Sequence, residues 1–345
     1  LAESRAMTFK KTAVLAAVIA LFATMLAGCS SNSDQASDVT ELTVYSGRSE
    51  EYIAPFFAEY EAQSGIKLNI RYGDSAELAA QILEEGSNSP ADLFLAQDAG
   101  SLGAVSAAGL FIELGKDVAT NIPAQFVAAN RTWVGVTGRA RVLAYSPERV
   151  KVLPTTFADL TKPAYKNKVG IAPTNASFQA FVTALIENKG EEFTKKWLAD
   201  MKANGAKIYA KNSIIVEAID KGEIDLGLVN HYYIWETSES LGRPVKAEVS
   251  YFAPGDFGNL INVSGAGVFA SSKKQAAAAD LINYLTSAAT QQKFVKDTHE
   301  YSLVAGSAAP EGVPALDKIG APTVDLNSLV NIKRTQDLLI KVGLL

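Results

Sequence analysis

Hydrophobic and polar positions along residues 41–96 alternate in a way that predicts strands and helices in turn. The apolar run LTVY at 42–45 predicts a strand, and Ser49 is placed to cap the helix that follows it. The next predicted elements are a helix with Ile53, Phe56, Phe57 and Tyr60 on one face, a strand at 66–72, a helix with Leu78, Ile82 and Leu83 on one face, and an apolar strand at 91–96. This β-α-β-α-β order is typical of a parallel sheet with helices on both faces.

The same alternation returns after residue 140. Predicted strands lie at 141–145, 168–172, 206–210 and 224–230, and predicted helices are one with Phe178, Phe181, Val182 and Leu185 on a single face, one at 191–204 and one from Ser213. Two α/β lobes account for the two series. A strand at 264–270 and a helix at 273–287 come later, and we expect them to return to the first lobe.

The first 28 residues have a different composition from the rest of the chain. Lys10 and Lys11 precede an apolar run from Ala13 to Leu26, which is the pattern of an export signal. At about 1.5 Å per residue the run is about 21 Å long, shorter than the ~30 Å hydrocarbon core of a bilayer. The pattern therefore favours a signal peptide over a permanent membrane-spanning helix.

The apolar run ends in LAGC, which is followed by SSNSDQASD. This junction resembles a bacterial lipoprotein signal. We therefore expect that residues 1–28 are removed, that Cys29 carries the lipid as the new N-terminus, and that residues 29–40 form a flexible linker. Met7 is expected to be the true start, which makes residues 1–6 translated upstream sequence.

Composition narrows the chemistry that the chain can perform. The 345 residues include one cysteine and two histidines, too few for a Cys/His zinc site or an intrachain disulfide. Hydrophobic residues make up 48% of the chain and charged residues 20%, which predicts globular lobes, and a net charge of −5 with no basic stripe argues against nucleic-acid binding. Any ligand is therefore expected to be held mainly by oxygen and nitrogen groups.

Polar residues follow five of the predicted strands, where open α/β sheets bind their ligands. These strand-end segments are 46–51, 97–98, 173–177, 211–213 and 230–233. Among them we find one carboxylate suited to acid–base work, Asp98, and one imidazole, His231. There is neither a GxSxG elbow nor a convincing second carboxylate beside Asp98, so the pattern predicts a binding cleft rather than an enzyme.

Tyr232 and Tyr233 are the adjacent tyrosines at the last of these strand ends. Adjacent tyrosines often pack as amphipathic edge residues, and this interpretation stays open. As ligands, phenolates are hard oxygen donors with a free pKa near ~10, so only a strongly Lewis-acidic cation favours them at neutral pH. Ferric iron is the natural candidate.

At this point the sequence resembles a family. The segments VYSGRSEE, GSNSPADLFLAQDAGSL, GRARVLAY, IAPTNASF, AKNSIIVEAIDKGEIDLGLVNHYY and SGAGVF are similar, in order and spacing, to the periplasmic ferric-ion-binding proteins of ABC iron importers. The resemblance covers about 41–305. It implies an α/β, two-lobed type II periplasmic-binding-protein fold with a hinge and an interlobe cleft. The implied lobes are 41–139 with about 262–313, and 140–261 with about 314–345.

The resemblance also implies a cargo and partners. Fe³⁺ is held by Tyr232 and Tyr233 with a synergistic anion, carbonate or phosphate, and the anion contacts fall on Asn175, Ala176, Ser177, Asn212 and Asn230. The implied partners are an ABC permease and its ATPase. We expect a monomer that works outside the cytoplasm, at the periplasmic or outer face of the membrane, and that meets the membrane through its N-terminal lipid alone.

Two positions depart from the family pattern. A histidine ligand after the first strand is replaced by Ser49, and a glutamate ligand is replaced by Gln97. Three outcomes stay open: the tyrosines bind iron with anion and water, Asp98 or His231 replaces a lost ligand, or the cargo is an organic solute. A polyamine, a thiamine-like cation or a phosphorylated compound represents the third outcome, for which Asp98, Glu50, Trp235 and Glu236 supply acidic and aromatic groups.

Overall fold

The computed structural model describes residues 39–345. The predicted signal segment, the Cys29 that is predicted to carry a lipid, and most of the predicted linker lie outside these residues. Over the described part of the chain, no helix is long and apolar enough to cross a membrane.

Ten strands form one mixed sheet. They are β1 (Glu41–Ser46), β2 (Lys67–Tyr72), β3 (Leu93–Ala96), β4 (Val134–Tyr145), β5 (Val169–Ile171), β6 (Lys207–Ile208), β7 (Leu226–Asn230), β8 (Glu248–Ser250), β9 (Ile261–Val268) and β10 (Tyr301–Ser302). The order across the sheet is β2-β1-β3-β9-β4-β7-β5-β6, with β8 and β10 also paired to β4.

Ten α-helices cover this sheet over residues 39–345. They are α1 (Glu50–Ser64), α2 (Ser75–Glu85), α3 (Ala99–Ala107), α4 (Ala176–Lys189), α5 (Glu191–Ala203), α6 (Asn212–Lys221), α7 (Tyr233–Leu241), α8 (Gln275–Leu285), α9 (Ala288–Thr298) and α10 (Ile332–Val342).

Strand β4 joins the two halves of the sheet. Residues 134–140 pair with β9, and residues 141–145 pair with β7. On one side, β9 continues through β3 to the parallel pair β1 and β2; on the other, β7 continues to the parallel pair β5 and β6. The parallel pairing predicted for β1, β2 and β3 is confirmed. The pairing of β9 with β3 confirms that the later strand returns to this group. The central strands β4 and β9 run antiparallel to their neighbours, which the sequence pattern did not indicate.

The apolar faces predicted for two helices are buried as expected. Ile53, Phe56, Phe57 and Tyr60 of α1 lie in the core, and so do Phe178, Phe181, Val182 and Leu185 of α4. The prediction for Leu83 is wrong, because its side chain is 44% exposed while Leu78 and Ile82 of the same helix pack inward.

Helix ends follow the capping rules in most places. Asp74 caps α2 and Asn175 caps α4 with their side-chain oxygens, and α1 ends at Gly65, whose positive φ of 73° suits a residue without a side chain. Ser49 does lie at the N-cap position of α1, as predicted, but its side chain makes no capping hydrogen bond to the residues described.

The last helix, α10, was not predicted. It packs against α4 and α5, and the Thr183 and Thr335 hydroxyls meet at 2.7 Å. The preceding turn at Leu326–Val330 packs mainly against α3 and also contacts α4. The C-terminal tail therefore contacts helices on both sides of the central strand.

Candidate functional site

A polar cavity of about 260 Å³ opens at the ends of the strands. One wall comes from residues near β1, β3 and β10, including Ser49, Tyr52, Gln97 and Glu300. The facing wall comes from residues near β5 and β7, including Asn175, Tyr232, Tyr233 and Glu236. The structure therefore brings together strand ends that lie far apart in the sequence, as the topology of an open α/β sheet predicts.

Tyr232 and Tyr233 lie side by side in this cavity. Their ring centroids are 4.5 Å apart and the ring planes are inclined to each other by 29° in a stacked arrangement. Strand β7 ends at Asn230 and helix α7 begins at Tyr233, so the turn between them fixes both side chains. Burial, and then the neighbouring Tyr232, raises the pKa of Tyr233 well above its usual value. This phenol is neutral until a cation favours its deprotonation.

The amide and hydroxyl groups predicted to face an anion form one network at the start of α4. Asn175 Oδ1 accepts hydrogen bonds from the Ser177 backbone N–H at 3.0 Å and from the Ser177 hydroxyl at 2.6 Å. Asn212 Nδ2 donates to Asn175 Oδ1 at 3.2 Å and to Ser177 Oγ at 3.1 Å. Ala176 is the first residue of the helix, where backbone N–H groups and the helix dipole favour negative charge.

Asn230 takes a different position. It ends β7, is buried, and pairs in register with Arg141 of β4. Asn175 lines the cavity, whereas Asn230 is the last residue of the strand and is not among the residues that line the cavity.

Asp98 does not reach the cavity as a replacement metal ligand. Its buried carboxylate caps α3 by accepting from the Ser101 backbone N–H at 2.8 Å and from the Ser101 hydroxyl at 2.9 Å. Burial raises its pKa. The hypothesis that Asp98 supplies a missing ligand is therefore corrected, because the carboxylate is used to start a helix.

His231 is also unavailable as a ligand. Its side chain is fully buried, Nδ1 accepts from the Ala140 backbone N–H at 3.2 Å, and Nε2 donates to the His299 carbonyl oxygen at 2.7 Å. Burial lowers the pKa of His231 to about 4, so the ring is neutral at physiological pH. Both ring nitrogens are occupied by backbone groups, which corrects the second replacement hypothesis.

Ser49 and Gln97, which stand at the two altered positions, do line the cavity. Gln97 is held by its backbone N–H, which donates to Ser75 Oγ at 2.8 Å. Over residues 39–345, no group of three His, Cys, Asp or Glu side chains is placed to hold a metal ion.

Several residues of the cavity were missed by sequence reasoning. Arg48 and Glu300 form a buried ion pair at 2.7 Å, although 252 positions separate them. Burial acts to lower the pKa of Arg48, but the Glu300 carboxylate and the nearby tyrosines outweigh it and raise the pKa overall. Strand β10 brings Glu300 to this place by pairing with β4, and no local signal predicts that pairing.

Tyr52 and Glu236 face each other across the cavity. Burial raises the pKa of Tyr52, and the Glu236 carboxylate raises it further. Burial also raises the pKa of Glu236. The sequence pattern had singled out Glu236 only as an acidic group for an organic solute. It had missed Tyr52, which helical spacing of three residues from Ser49 could have found.

The fold and this cavity define a class of protein: a two-lobed α/β binding protein that receives its ligand in the cleft between its lobes. Residues 88–322 match the family described as bacterial extracellular solute-binding protein, and the chain belongs to that family.

Relatives of this chain are named for iron. It is 32% identical over 308 residues to the Fe(3+)-binding periplasmic protein of Serratia marcescens, covering 88% of this chain and 90% of that one. Iron-bound HitA from Pseudomonas aeruginosa superimposes with a TM-score of 0.82 at 30% identity, covering 88% of this chain and 99% of that chain. A Trichodesmium protein in complex with iron and citrate gives a TM-score of 0.76 at 26% identity, over the same shares.

Proposed function

We propose that this chain is the solute-binding component of an ABC iron importer, which captures Fe³⁺ with an oxyanion between its two lobes. The observation that carries the proposal is the placement of Tyr232 and Tyr233, stacked at 4.5 Å in a polar cavity. Iron appears in the name or title of all three relatives described above, which favours this cargo over an organic solute.

The tyrosines act as the charge-compensating ligands. Fe³⁺ is a strong Lewis acid that favours hard oxygen donors, so its binding displaces the phenol protons. Ser49 and Gln97 carry no charge, and they leave the remaining coordination positions to the anion and to water. Polar side chains on both walls of the cavity can form hydrogen bonds with such oxygen ligands.

The anion is held at the start of α4. Asn175 lines the cavity there, held by its hydrogen bonds with Ser177 and Asn212, and Ala176 contributes its backbone N–H. Asn230 supports this wall from within the sheet, where it pairs with Arg141. Carbonate and phosphate are the anions that we expect, because each offers several oxygens to such a set of donors.

Closure of the lobes excludes water from the cargo. The lobe boundaries that we propose are 41–139 with 262–313, and 140–261 with 314–345, and the change of partner strand along β4 supports the division near residue 140. Because the tyrosines and the facing wall come from different lobes, a bound ion that touches both walls stabilises the closed state.

Delivery follows capture. We propose that the closed form docks on the permease, whose ATPase drives release, and that the protein itself is a monomer without enzymatic activity. A lipid on Cys29 anchors the protein to the membrane, at its outer face or on its periplasmic side. The segment that follows Cys29, up to residue 40, acts as the linker.

Colour tests the proposal. Protein loaded with ferric citrate is expected to show a visible phenolate-to-iron charge-transfer band and a raised melting temperature. The double variant Tyr232→Phe/Tyr233→Phe is expected to lose both, whereas Tyr145→Phe, which removes an exposed hydroxyl bonded to Glu248, keeps them. A colourless wild-type protein that ferric citrate fails to stabilise would exclude ferric iron as the cargo.

A further inference from the structure

The C-terminal segment 326–342 contacts both of the proposed lobes. Its first part, the turn Leu326–Val330, packs mainly against α3, which belongs to the proposed first lobe. Its second part, α10, packs against α4 and α5, which belong to the proposed second lobe. The segment therefore links the lobes in addition to β4, along which the main chain passes from one half of the sheet to the other.

Two glycines of α3 hold the turn close to the first lobe. A side-chain carbon at Gly100 would lie 2.6 Å from the Leu329 carbonyl oxygen, and one at Gly103 would overlap Val330 Cγ1. The Leu329 side chain is fully buried. Glycine is a poor helix former, and residues three positions apart lie on the same face of a helix. The two glycines therefore form a smooth face of α3 on which the turn is seated.

Helix α10 is fixed to the second lobe by both polar and apolar contacts. The hydroxyls of Thr335 and Thr183 lie 2.7 Å apart inside the protein. Gln336 Nε2 donates a hydrogen bond to Gln179 Oε1 at 3.1 Å, and the Leu339 side chain is fully buried. Because these contacts lie on both sides of one helical turn, α10 moves together with α4.

Little slack separates the two points of attachment. Asn331 follows the turn directly and caps α10, since its side-chain oxygen accepts from the Arg334 backbone N–H at 3.3 Å. At about 1.5 Å of rise per residue, the five steps from Val330 to Thr335 span roughly 8 Å. A larger distance between α3 and α4 therefore requires either unwinding of the first turn of α10 or release of the turn from α3.

We propose that residues 326–342 act as a strap that restricts the range over which the two lobes rotate. The inference rests on the lobes proposed above and not on iron as the cargo. A protein whose lobes already sample few arrangements loses less conformational entropy when a ligand fixes one of them. The strap thus prepares the protein for closure around its ligand.

The distribution of distances between the lobes tests the proposal. The full chain with Cys29→Ser lacks its only cysteine, so spin labels can be attached at Glu77→Cys on α2 and at Ser240→Cys on α7, where both side chains are exposed. Double electron–electron resonance then measures the distance between the two labels in the absence of iron. The width of the distribution reports the range of lobe rotation.

Gly103→Ala is the first variant in this labelled background. Its added methyl group displaces Val330 from α3, so the distance distribution is expected to broaden. Adding Val330→Ala removes the overlapping carbon and leaves the Cβ atom of residue 330 at an ordinary distance of 3.6 Å, so the original width is expected to return. Ala107→Leu is the matched control, because it adds bulk at the exposed end of the same helix and is expected to change nothing.

Leu329→Ala loosens the same turn by removing buried contacts rather than by a clash, and it is also expected to broaden the distribution. An unchanged width in Gly103→Ala and in Leu329→Ala would overturn the proposal. So would an equal broadening in Ala107→Leu, or a broadening in Gly103→Ala that Val330→Ala does not reverse. A wild-type protein that takes up no ferric iron, yet shows the broadening and its reversal, would instead overturn the proposed cargo and leave the strap in place.

Discussion

His231 Nε2 donates a hydrogen bond to the main-chain carbonyl of His299 at 2.7 Å, and its Nδ1 accepts one from the Ala140 N–H. The imidazole thus ties three segments together: the central strand, the turn that carries the tyrosines and the loop that precedes Glu300. His299 has a positive φ of 55°, so this loop turns sharply where its carbonyl is held. The His231 side chain, next to the tyrosine pair, therefore has a structural role.

The buried His231 makes the stability of the protein depend on pH. The pKa of His231 falls from 6.5 to about 4 in the folded protein because the ring is buried, so below pH 6.5 the unfolded chain binds more protons than the folded one. Stability is therefore expected to fall as the pH drops from about 6.5 to about 4, by up to about 3 kcal/mol from this group.

The variant His231→Gln isolates this contribution. It is expected to lower the free energy of unfolding at pH 7 by about 1–3 kcal/mol, because a buried backbone group loses its partner. At pH 4.5 the difference from wild type is expected to shrink, as seen by urea denaturation at both values. His299→Asn is the control, since it keeps the carbonyl acceptor and tolerates the left-handed backbone, and a constant difference in His231→Gln would contradict the assignment.

The buried pair of Arg48 and Glu300 gives a second prediction. Glu300→Gln leaves the guanidinium buried without its counter-charge, so the free energy of unfolding is expected to fall by about 3–5 kcal/mol. Adding Arg48→Met is expected to recover part of this loss, since the double variant no longer buries an unpaired charge. Denaturation in guanidinium chloride measures the free energy of unfolding of the single and the double variant.

An exposed pair provides the contrast. Lys196 and Asp200 lie one helical turn apart on the surface of α5, and Asp200→Asn is expected to change stability by less than about 0.5 kcal/mol. Equal losses in Glu300→Gln and Asp200→Asn would mean that burial of the cavity pair has no energetic importance.

Gln97 gives a third prediction, which concerns affinity. Gln97→Glu places a carboxylate, a hard oxygen donor, on the wall that faces the tyrosines, so Fe³⁺ is expected to bind about tenfold more tightly or better. Chelator competition at fixed phosphate measures the change. Gln97→Met, which removes the amide without adding charge, is expected to give no gain, and a similar gain in both variants would show that the carboxylate is not a ligand.

Local patterns were enough to predict much of the fold. Phe178 and Phe181 recur at helical spacing and are fully buried on α4, and Leu93–Ala96 is continuously apolar and buried as a strand. Leu83 shows the limit of this reasoning, because it follows Ile82 around the helix and lies partly in solvent. Strand β4 begins seven residues before the strand predicted at 141–145. The sequence did not predict this first part of β4 because glycines and polar residues interrupt its apolar pattern, although all of them are buried.

The site was predictable only where it is local in sequence. Asn175, Tyr232 and Tyr233 follow strands directly, so the strand-end rule finds them. Glu300 and Arg141 owe their place to pairing between distant segments, and a buried cation on a strand has no sequence signature of its own. Asp98 and His231 are residue types that often bind metals, which is why the sequence suggested them as ligands. In the structure, however, the Asp98 carboxylate and both ring nitrogens of His231 form hydrogen bonds to the backbone.

The position of β9 has a consequence for how the chain acquires its structure. Residues 261–268 form β9, which lies between β3 and β4. A chain that has been synthesised only to residue 145 therefore lacks the strand that connects β3 to β4. The long sequence separation of these contacts makes assembly slow, and it delays completion of the sheet until most of the chain is present. The two halves of the sheet therefore cannot be joined in the nascent chain until residue 268 has been made, and an incomplete sheet is easier to unfold for passage through a narrow channel.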